Sequence, residues 1–289
     1  MGRPHRRGSA TGIHHVMNRG VDHQPIFFAD ADRLELGQRL ADIHERFGVA
    51  TLAYCLMTNH LHLVLRSPPD TLPEAMHHLT STYSRRLNAR LGRDGPLFRG
   101  RYHSIPVETD SYLLWVTRYV HRNPLDIAGV ASPRDHRWSS YRAYLGLRPS
   151  PAFLDRQPVM DLVGGRIDEL EAITEDETPP RLTTSADVTQ LVRCARAVDD
   201  LTVETSDQPG SALDRTILIL IERRTGDPET ARLIGSALGP RTDAAALRAH
   251  QRAEVRGRND PSVDRMLRWI ERQTSPALVG RRHSVPGTE

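Results

Sequence analysis

The sequence predicts an α+β fold in which an antiparallel sheet domain is followed by a mostly helical C-terminal region. Two observations lead to this expectation. In the first half, apolar residues switch between strand and helix periods in the order strand, helix, strand, strand, helix, strand, helix. This order is that of a ferredoxin-like split βαβ domain. Beyond residue 185 the apolar positions recur mostly at helical spacing.

Residues that begin or end regular structure delimit each element of the first domain. Asp30 or Asp32 is expected to cap the first helix and Gly48 to end it, whereas Pro124 stops the last helix. The short Thr58-Asn59 connection favours an antiparallel strand pair. The predicted strands cover residues 12–21, 49–57, 60–66 and 101–107, and the predicted helices cover 27–48, 72–91 and 109–123.

Composition shifts divide the chain into four predicted parts. Residues 1–147 form the sheet domain, which a Trp-, Tyr- and Ser-rich segment closes. Residues 148–185 are acidic and contain prolines, and they are expected to form a loosely packed linker with a short helix. Residues 186–276 are expected to form a helical domain, and residues 277–289 a disordered tail.

Charge is distributed unevenly along the chain. Residues 1–150 hold 20 Arg against 13 acidic residues, a balance of +7, whereas residues 151–289 hold 19 Arg against 23 acidic residues, a balance of −4. Twelve of the 14 histidines precede residue 151. A basic, histidine-rich first half suggests a module that faces an anion such as nucleic acid.

Several protein classes do not fit this sequence. No apolar run is long enough for a membrane span, and the N-terminus lacks the apolar core of a secretion signal. Cys55 and Cys194 are too few and too far apart for a disulfide framework. We therefore expect a cytoplasmic, nucleoid-associated protein with no membrane partner.

Two histidines stand two residues apart in the strand predicted at 60–66. Alternate residues of a strand project to the same face, so His60 and His62 point one way while Leu61 points the other. Two adjacent imidazoles supply half of a ligand set for a divalent cation. An isolated pair of this kind is more often a polar surface feature, so the assignment needs companion motifs.

Tyr119 and Asn123 stand one turn apart on the helix that begins at Thr109, so they share one face. A tyrosine hydroxyl can attack a phosphodiester and form a covalent intermediate. Asn123 could add an oxygen as a third metal ligand. Tyr83, on the apolar stripe of its own helix, is expected to be a core residue and is the runner-up nucleophile.

Arginines cluster around these motifs and are candidates for DNA-backbone contacts. Guanidinium groups bind phosphates and stack on exposed bases, which suits single-stranded or hairpin DNA. The turn Arg99-Gly100-Arg101 is favoured because it lies in a loop rich in glycine and aromatic residues. The candidates are Arg85, Arg86, Arg99, Arg101, Arg118 and Arg122.

Together these segments resemble the IS200-like (Y1, HUH-type) transposases, and more closely the REP-associated tyrosine transposases. The resemblance covers residues 10–147, about half of the chain. Four ordered motifs are far more specific than a single His-x-His. They are HHVMNRG at 14–20, YCLMTNHLHLV at 54–64, GPLFRGRY at 95–102 and RYVHRNPL at 118–125, with WSSY at 138–141 as a closing motif.

The resemblance implies specific chemistry. Residues at the positions of His60 and His62 bind Mg²⁺ or Mn²⁺ in this family, with a polar residue at the position of Asn123 as third ligand. In this family, the tyrosine at the position of Tyr119 nicks single-stranded DNA near a hairpin through a 5′-phosphotyrosine intermediate. Both monomers and homodimers occur among such proteins. The second half departs from the minimal family pattern. Residues 212–272 faintly resemble the helical tail of some longer relatives, which is akin to the DNA-binding end of the replication initiator DnaA, and this resemblance implies that the 186–276 domain is helix-turn-helix-like.

Two other functions fit the same residues. One is a domesticated DNA-binding protein that recognises chromosomal repeats without transposition, although the intact His60, His62, Tyr119 and Asn123 favour the enzyme. The other is a metal-dependent phosphodiesterase that uses water as its nucleophile. The helical second half could alternatively serve stability or partner contact.

Overall fold

The computed structural model describes residues 9–176, 180, 182–202, 210–225 and 227–274. The chain divides into two compact units, with the division between residues 180 and 181. The predicted disordered tail at 277–289 lies outside the described residues. No described helix is long and apolar enough to span a membrane.

The first unit is built on a four-stranded antiparallel sheet with the order β2-β3-β1-β4, which confirms the predicted α+β fold. The two central strands pair with Ile13 opposite Arg66 and Arg19 opposite His60. The strands are β1 (Ile13–Arg19), β2 (Ala50–Leu56), β3 (His60–Arg66) and β4 (His103–Pro106).

Two long helices, α1 (Asp30–Phe47) and α2 (Leu72–Leu91), pack together against one face of the sheet. Gly48 ends α1 in the left-handed conformation, as expected. The N-cap position is Ala29 rather than an acidic residue, but the carboxylate of Asp32 accepts from the backbone N–H groups of Phe28 and Ala29. The acidic residue therefore caps the helix from its first turn.

Helix α3 (Asp110–Arg122) contacts β2 and β3. The side chain of Thr109 accepts from the N–H of Tyr112 and fixes where this helix begins. Arg122 is its last residue, and Asn123 is its C-cap and begins a 3-10 turn that contains Pro124. Because Leu61 and Leu63 of β3 belong to the core with α1 and α2, the alternate residues of β3 face α3.

Residues 148–176, expected within a loose linker, instead pack onto the sheet and α3. The backbone of Thr51 exchanges hydrogen bonds with Phe153 and Asp155. Three short helices follow α3, namely α4 (Tyr141–Tyr144), α5 (Gln157–Leu162) and α6 (Ile167–Glu175), and the latter two pack against α3. Although this segment is acidic and contains prolines, it also has apolar residues that are buried in the structure. These residues are Phe153, Leu154, Val159, Val163 and Leu170.

The second unit is helical, in agreement with the sequence. Its helices are α7 (Ser185–Thr202), α8 (Gly210–Arg224), α9 (Pro228–Leu238), α10 (Asp243–Asn259) and α11 (Pro261–Gln273). Helix α8 packs against α9 and α10, and α7 packs against α11. The expected apolar positions Ile234, Met266 and Ile270 are buried, whereas Leu247, also on that apolar pattern, is 56% exposed.

Candidate active site

Three histidine rings lie together on the sheet face that α3 covers. On β3, His62 pairs with Met17 of β1, so the side chain of His15, two residues earlier in β1, falls beside it. The ring centroids of His15 and His62 are 5.4 Å apart and nearly parallel, and the His60 centroid is 5.1 Å from that of His62. The two predicted histidines therefore share a face with a third.

Tyr119 of α3 lies directly over this cluster. Its ring centroid is 5.4 Å from that of His62 and 5.8 Å from that of His15, both in edge-to-face contact. Trp115, one turn earlier, stacks on it at 5.6 Å with an angle of 5°. Tyr119 is only 5% exposed, so the neighbouring rings fix its orientation.

Asn123 brings an oxygen to the same place from the end of α3. Its Oδ1 lies 3.1 Å from Nε2 of His60. On the other side of the ring, Nδ1 of His60 is 2.8 Å from Oδ1 of Asn59. Both partners are amide oxygens, which can only accept, whereas a neutral imidazole has a single N–H to donate. One of the two contacts of a neutral His60 therefore brings two lone pairs together.

Burial keeps these histidines neutral. It lowers the pKa of His62 well below the usual value, and the adjacent His60 and His15 lower it further. Burial also lowers the pKa of His60, against the opposing influences of Asn123 and Asp126. Neutral imidazoles retain the lone pair that a metal ligand needs.

The residues present fit a divalent cation. Two neutral imidazoles and an amide oxygen form a nitrogen and oxygen donor set, and a neutral His60 has one N–H for two amide oxygens, which leaves the lone pair of its other ring nitrogen for a metal. Nδ1 of His62 lies 3.2 Å from Nε2 of His15, which orients the ring from behind. In the described part of the chain, no group of three or more His, Cys, Asp or Glu side chains is arranged for a metal.

Arg118 and Arg122 both donate hydrogen bonds to the end of a helix. Arg118, 4% exposed, donates from Nε to the carbonyl of Ile173 and from Nη2 to that of Asp176. Arg122 donates from Nη1 to the carbonyls of Thr174 and Asp176. These carbonyls lie at the C-terminus of α6, where a helix leaves its last acceptors unsatisfied. These hydrogen bonds explain why arginines stand at positions 118 and 122, which the sequence motif did not indicate.

Arg99 and Arg101 are exposed in the loop before β4. The N–H of Arg99 donates to the carbonyl of Arg19, and Phe98 forms a β-bridge with Gly20. Since Arg19 pairs with His60, this loop runs past the histidine end of the sheet.

Arg85 and Arg86 lie on α2, which packs on the opposite face of the sheet from α3. Arg86 forms an ion pair with Glu35 at 3.2 Å. The rival nucleophile Tyr83 is on the same helix, where it is 1% exposed and its hydroxyl donates to the carbonyl of Ile26. It is a core residue, as expected.

Sequence reasoning did not single out His15, Asn59 or Trp115. The spacing of His15 and Met17 in β1 indicated a shared face, but only the register of β1 against β3 brings His15 to His62. Trp115 stands one turn before Tyr119, a spacing that indicates contact on a helix.

Comparison with protein families matches residues 11–123 to the family described as "Transposase IS200 like". This confirms the resemblance drawn from the motifs over that range. Among solved structures, the chain is similar to one described as "Structure of the REP associates tyrosine transposase bound to a REP hairpin". The two are 13% identical, the similarity covers 54% of this chain and 94% of that chain, and the TM-score is 0.43. No curated protein matches this chain.

Proposed function

We propose that the IS200-like domain of this chain cleaves and rejoins single-stranded DNA through Tyr119, beside a divalent cation bound by His60, His62 and Asn123. The observation that carries the proposal is the convergence of these groups. The Tyr119 ring centroid lies 5.4 Å from that of His62, and Nε2 of His60 lies 3.1 Å from Oδ1 of Asn123. All four residues belong to one protomer in this arrangement, which either a monomer or a homodimer can carry.

The reaction transfers a DNA phosphate from one oxygen to another, so one phosphorus–oxygen bond forms for each one that breaks. The Tyr119 oxygen attacks the phosphorus, the bond from phosphorus to the 3′ oxygen breaks, and a 5′-phosphotyrosine link forms. The hydroxyl proton lost by Tyr119 is balanced by the proton taken up by the departing 3′ oxygen. Attack by a 3′ hydroxyl on the phosphotyrosine reverses these steps and joins two strands.

The cation is proposed to be Mg²⁺ or Mn²⁺. When bound, it would orient the scissile phosphate and offset the charge of the transition state. His60 and His62 supply it with neutral imidazoles, and His15 holds the His62 ring in place. Trp115 limits the orientations of the Tyr119 ring, which favours one direction of attack.

The substrate class that fits best is single-stranded DNA with a hairpin or repeat. Arg99 and Arg101 lie in a loop beside the histidine end of the sheet, since the N–H of Arg99 donates to the carbonyl of Arg19, which pairs with His60. Arg85 and Arg86 lie on the other face of the β-sheet, where they would contact a DNA strand that passes around the edge of the sheet. Arg118 and Arg122 are left out of this proposed surface because α6 occupies them.

A covalent-trapping experiment tests the proposal. Labelled hairpin single strands are incubated with the protein and Mn²⁺, and denaturing gels are searched for a protein–DNA band. The band should disappear in Tyr119→Phe and persist in Tyr112→Phe, which removes a hydroxyl from the same helix and also lies against Trp115.

Other outcomes would replace the proposal. Cleavage without a covalent species would indicate a phosphodiesterase that uses water. Binding without cleavage would indicate a repeat-binding protein that has no strand-transfer activity. A covalent band that survives in Tyr119→Phe would show that the nucleophile is another residue.

A further inference from the structure

Aromatic rings and arginines lie side by side where α1 begins, beside the turn that leads into β3. The N–H of Phe27 donates to the carbonyl of Thr58, two residues before His60. From the other flank, the carbonyl of Trp138 accepts from the N–H of Leu56, at the end of β2. This surface therefore adjoins the end of the sheet that carries the proposed cleavage site. We call it the stacking patch, and it comprises Phe28, Arg33, Arg93, Arg137 and Trp138.

Each arginine of the stacking patch lies over an aromatic ring. The guanidinium carbon of Arg93 is 5.8 Å from the ring centroid of Phe28. Those of Arg137 and Arg33 are 4.7 and 5.6 Å from the ring centroid of Trp138. A guanidinium group is planar and weakly hydrated, so it stacks on one planar group and can offer its other face to a second. Contacts with the rings also restrict these long side chains, so a ligand that binds them orders less additional structure.

Part of the stacking patch is open to solvent. Phe28 is 47% exposed, although its neighbour Phe27 is only 2% exposed and belongs to the core. The side chain of Arg137 is 68% exposed. A single exposed apolar side chain needs no special explanation. Here, however, the exposed ring and the exposed guanidinium group both offer a planar surface next to the proposed cleavage site, which is what an unpaired base stacks on.

Two arginines of the stacking patch form no ion pair with any described residue. Arg137 pairs with Asp30 at 3.1 Å. Arg93 instead donates from Nη2 to the neutral amide of Gln24 at 3.2 Å, and its Nη1 has no hydrogen-bond partner in the described part of the chain. Arg33 lies against the indole, and its Nε also lacks such a partner there. These positive charges complement the phosphate groups of a DNA strand.

We infer that the stacking patch binds unpaired bases of the DNA strand that enters the proposed cleavage site, an inference that rests on the proposed function. An unpaired base presents its π faces, whereas the bases of a duplex are already stacked on each other. Phe28 and the guanidinium plane of Arg137 each take one base, while Arg33 and Arg93 contact the phosphates. The patch thereby selects a strand that is unpaired next to the scissile bond. None of its residues is among the six arginines that the sequence predicted to bind DNA.

Other partners fit the stacking patch less well. A protein partner, including a second copy of this chain, would need a continuous apolar surface, and here guanidinium groups lie over the rings that would form it. Two copies of the patch would also bring arginines of like charge together. Duplex DNA would satisfy the charges but would leave Phe28 without a base to stack on.

The test measures binding of two labelled hairpins by fluorescence anisotropy. One hairpin carries an unpaired tail of mixed sequence, and the other has the same stem with a blunt end. The full chain carries Tyr119→Phe and EDTA is present, so binding is measured without cleavage and without a cation. Phe28→Ala should weaken binding of the tailed hairpin about tenfold, the effect of losing one stacked base, and should leave binding of the blunt hairpin unchanged. Leu34→Ala, which removes an exposed apolar side chain from α1, is the matched control.

A salt series on the same proteins tests the arginines. Arg93→Gln should reduce the salt slope of tailed-hairpin binding by about 0.7, the value for one phosphate contact on a single strand. Arg46→Gln, at the opposite end of α1, should leave the slope unchanged. Circular dichroism should give the same spectrum for each variant as for the parent, since the replaced side chains are exposed or half-buried.

The inference is overturned if Phe28→Ala and Leu34→Ala bind the tailed hairpin equally well. It is also overturned if Phe28→Ala weakens binding of both hairpins alike, because the contact would then be with paired DNA. Phe28→Tyr retains a ring and should bind like the parent, so a loss as large as that of Phe28→Ala would likewise exclude stacking. Failure of the proposed function is a separate result, since it would appear as the absence of a covalent band with Tyr119 intact, whatever the anisotropy shows.

Discussion

Nε2 of His60 lies 3.1 Å from Oδ1 of Asn123, although 63 residues separate them in the chain. One comes from a central strand and the other from the end of the helix that crosses it. Nδ1 of the same ring lies 2.8 Å from Oδ1 of Asn59, so a neutral His60 has one N–H for two amide oxygens. When that N–H is on Nδ1, Nε2 and Oδ1 of Asn123 both present lone pairs, which a cation between them would bind.

Loss of either predicted ligand should reduce metal affinity. We expect His60→Ala or Asn123→Ala to weaken Mn²⁺ binding at least tenfold, because each removes a donor atom from a small set. Isothermal titration with Mn²⁺ measures this directly and requires no DNA. His77→Ala, an exposed histidine on α2, is the control. Unchanged Mn²⁺ affinity in the His60 variant would show that the cation binds elsewhere.

His15 should influence the metal without touching it. Its Nε2 lies 3.2 Å from Nδ1 of His62, so His15→Leu removes the partner that fixes that ring. Outer-shell partners of this kind contribute about 10- to 100-fold in metal affinity or activity. The adjacent His14→Leu loses a contact with Ser104 on the other side of the strand and should leave Mn²⁺ affinity near the parent value. Equal losses in the two variants would indicate general damage to the sheet.

Arg118→Met should destabilise the first unit by about 2–4 kcal/mol, because it removes charge-assisted hydrogen bonds to two carbonyls. Burial, and secondarily Arg122, lower the pKa of Arg118 to about 10, so the guanidinium is charged near neutral pH. Urea unfolding measures the change. Arg101→Met, at an exposed position, should stay within about 0.5 kcal/mol of the parent. A similar effect of both substitutions would rule out the proposed stabilising role.

His121 should make the fold sensitive to acid. It is fully buried, its Nε2 lies 2.8 Å from Oγ of Ser140, and burial lowers its pKa from 6.5 to about 3. Below pH 6.5 the imidazole of His121 is protonated in the unfolded chain but stays neutral in the folded chain. Stability from this residue is therefore present above pH 6.5 and is lost as the pH falls toward 3, by about 1.4 kcal/mol per unit.

The measurement is the pH dependence of the free energy of unfolding in the parent and in His121→Phe. The variant should be less stable at neutral pH but should lose stability less steeply in acid. His77→Phe, which changes an exposed histidine, should retain the slope of the parent. If the free energy of unfolding of the His121 variant falls with pH as steeply as that of the parent, other groups cause the acid sensitivity.

Local patterns were enough to predict most of the first unit. Helix α2 begins and ends at Leu72 and Leu91, the residues expected from its apolar stripe, and β3 covers the expected residues 60–66. Both elements have clear periodicity and clear ends, since Gly92 terminates α2 in the left-handed conformation.

The features that local patterns did not reveal depend on tertiary contacts. His15 joins the site through strand register, which one strand's sequence does not specify. Arg118 and Arg122 were expected to contact DNA because they flank Tyr119, but α6 supplies carbonyl partners from more than 50 residues away. The same long-range packing explains why an acidic, proline-containing stretch is ordered.

Arg118 and Arg122, which donate to the end of α6, also determine how far the chain can be shortened. The family match ends at residue 123, and the closing motif of the sheet domain ends near residue 147. A fragment that stops at either point would leave both guanidinium groups without their acceptors and uncover the side of α3 that α5 and α6 protect. The shortest fragment that keeps the tyrosine helix intact therefore extends through Asp176, beyond residue 123 where the match to the IS200-like family ends.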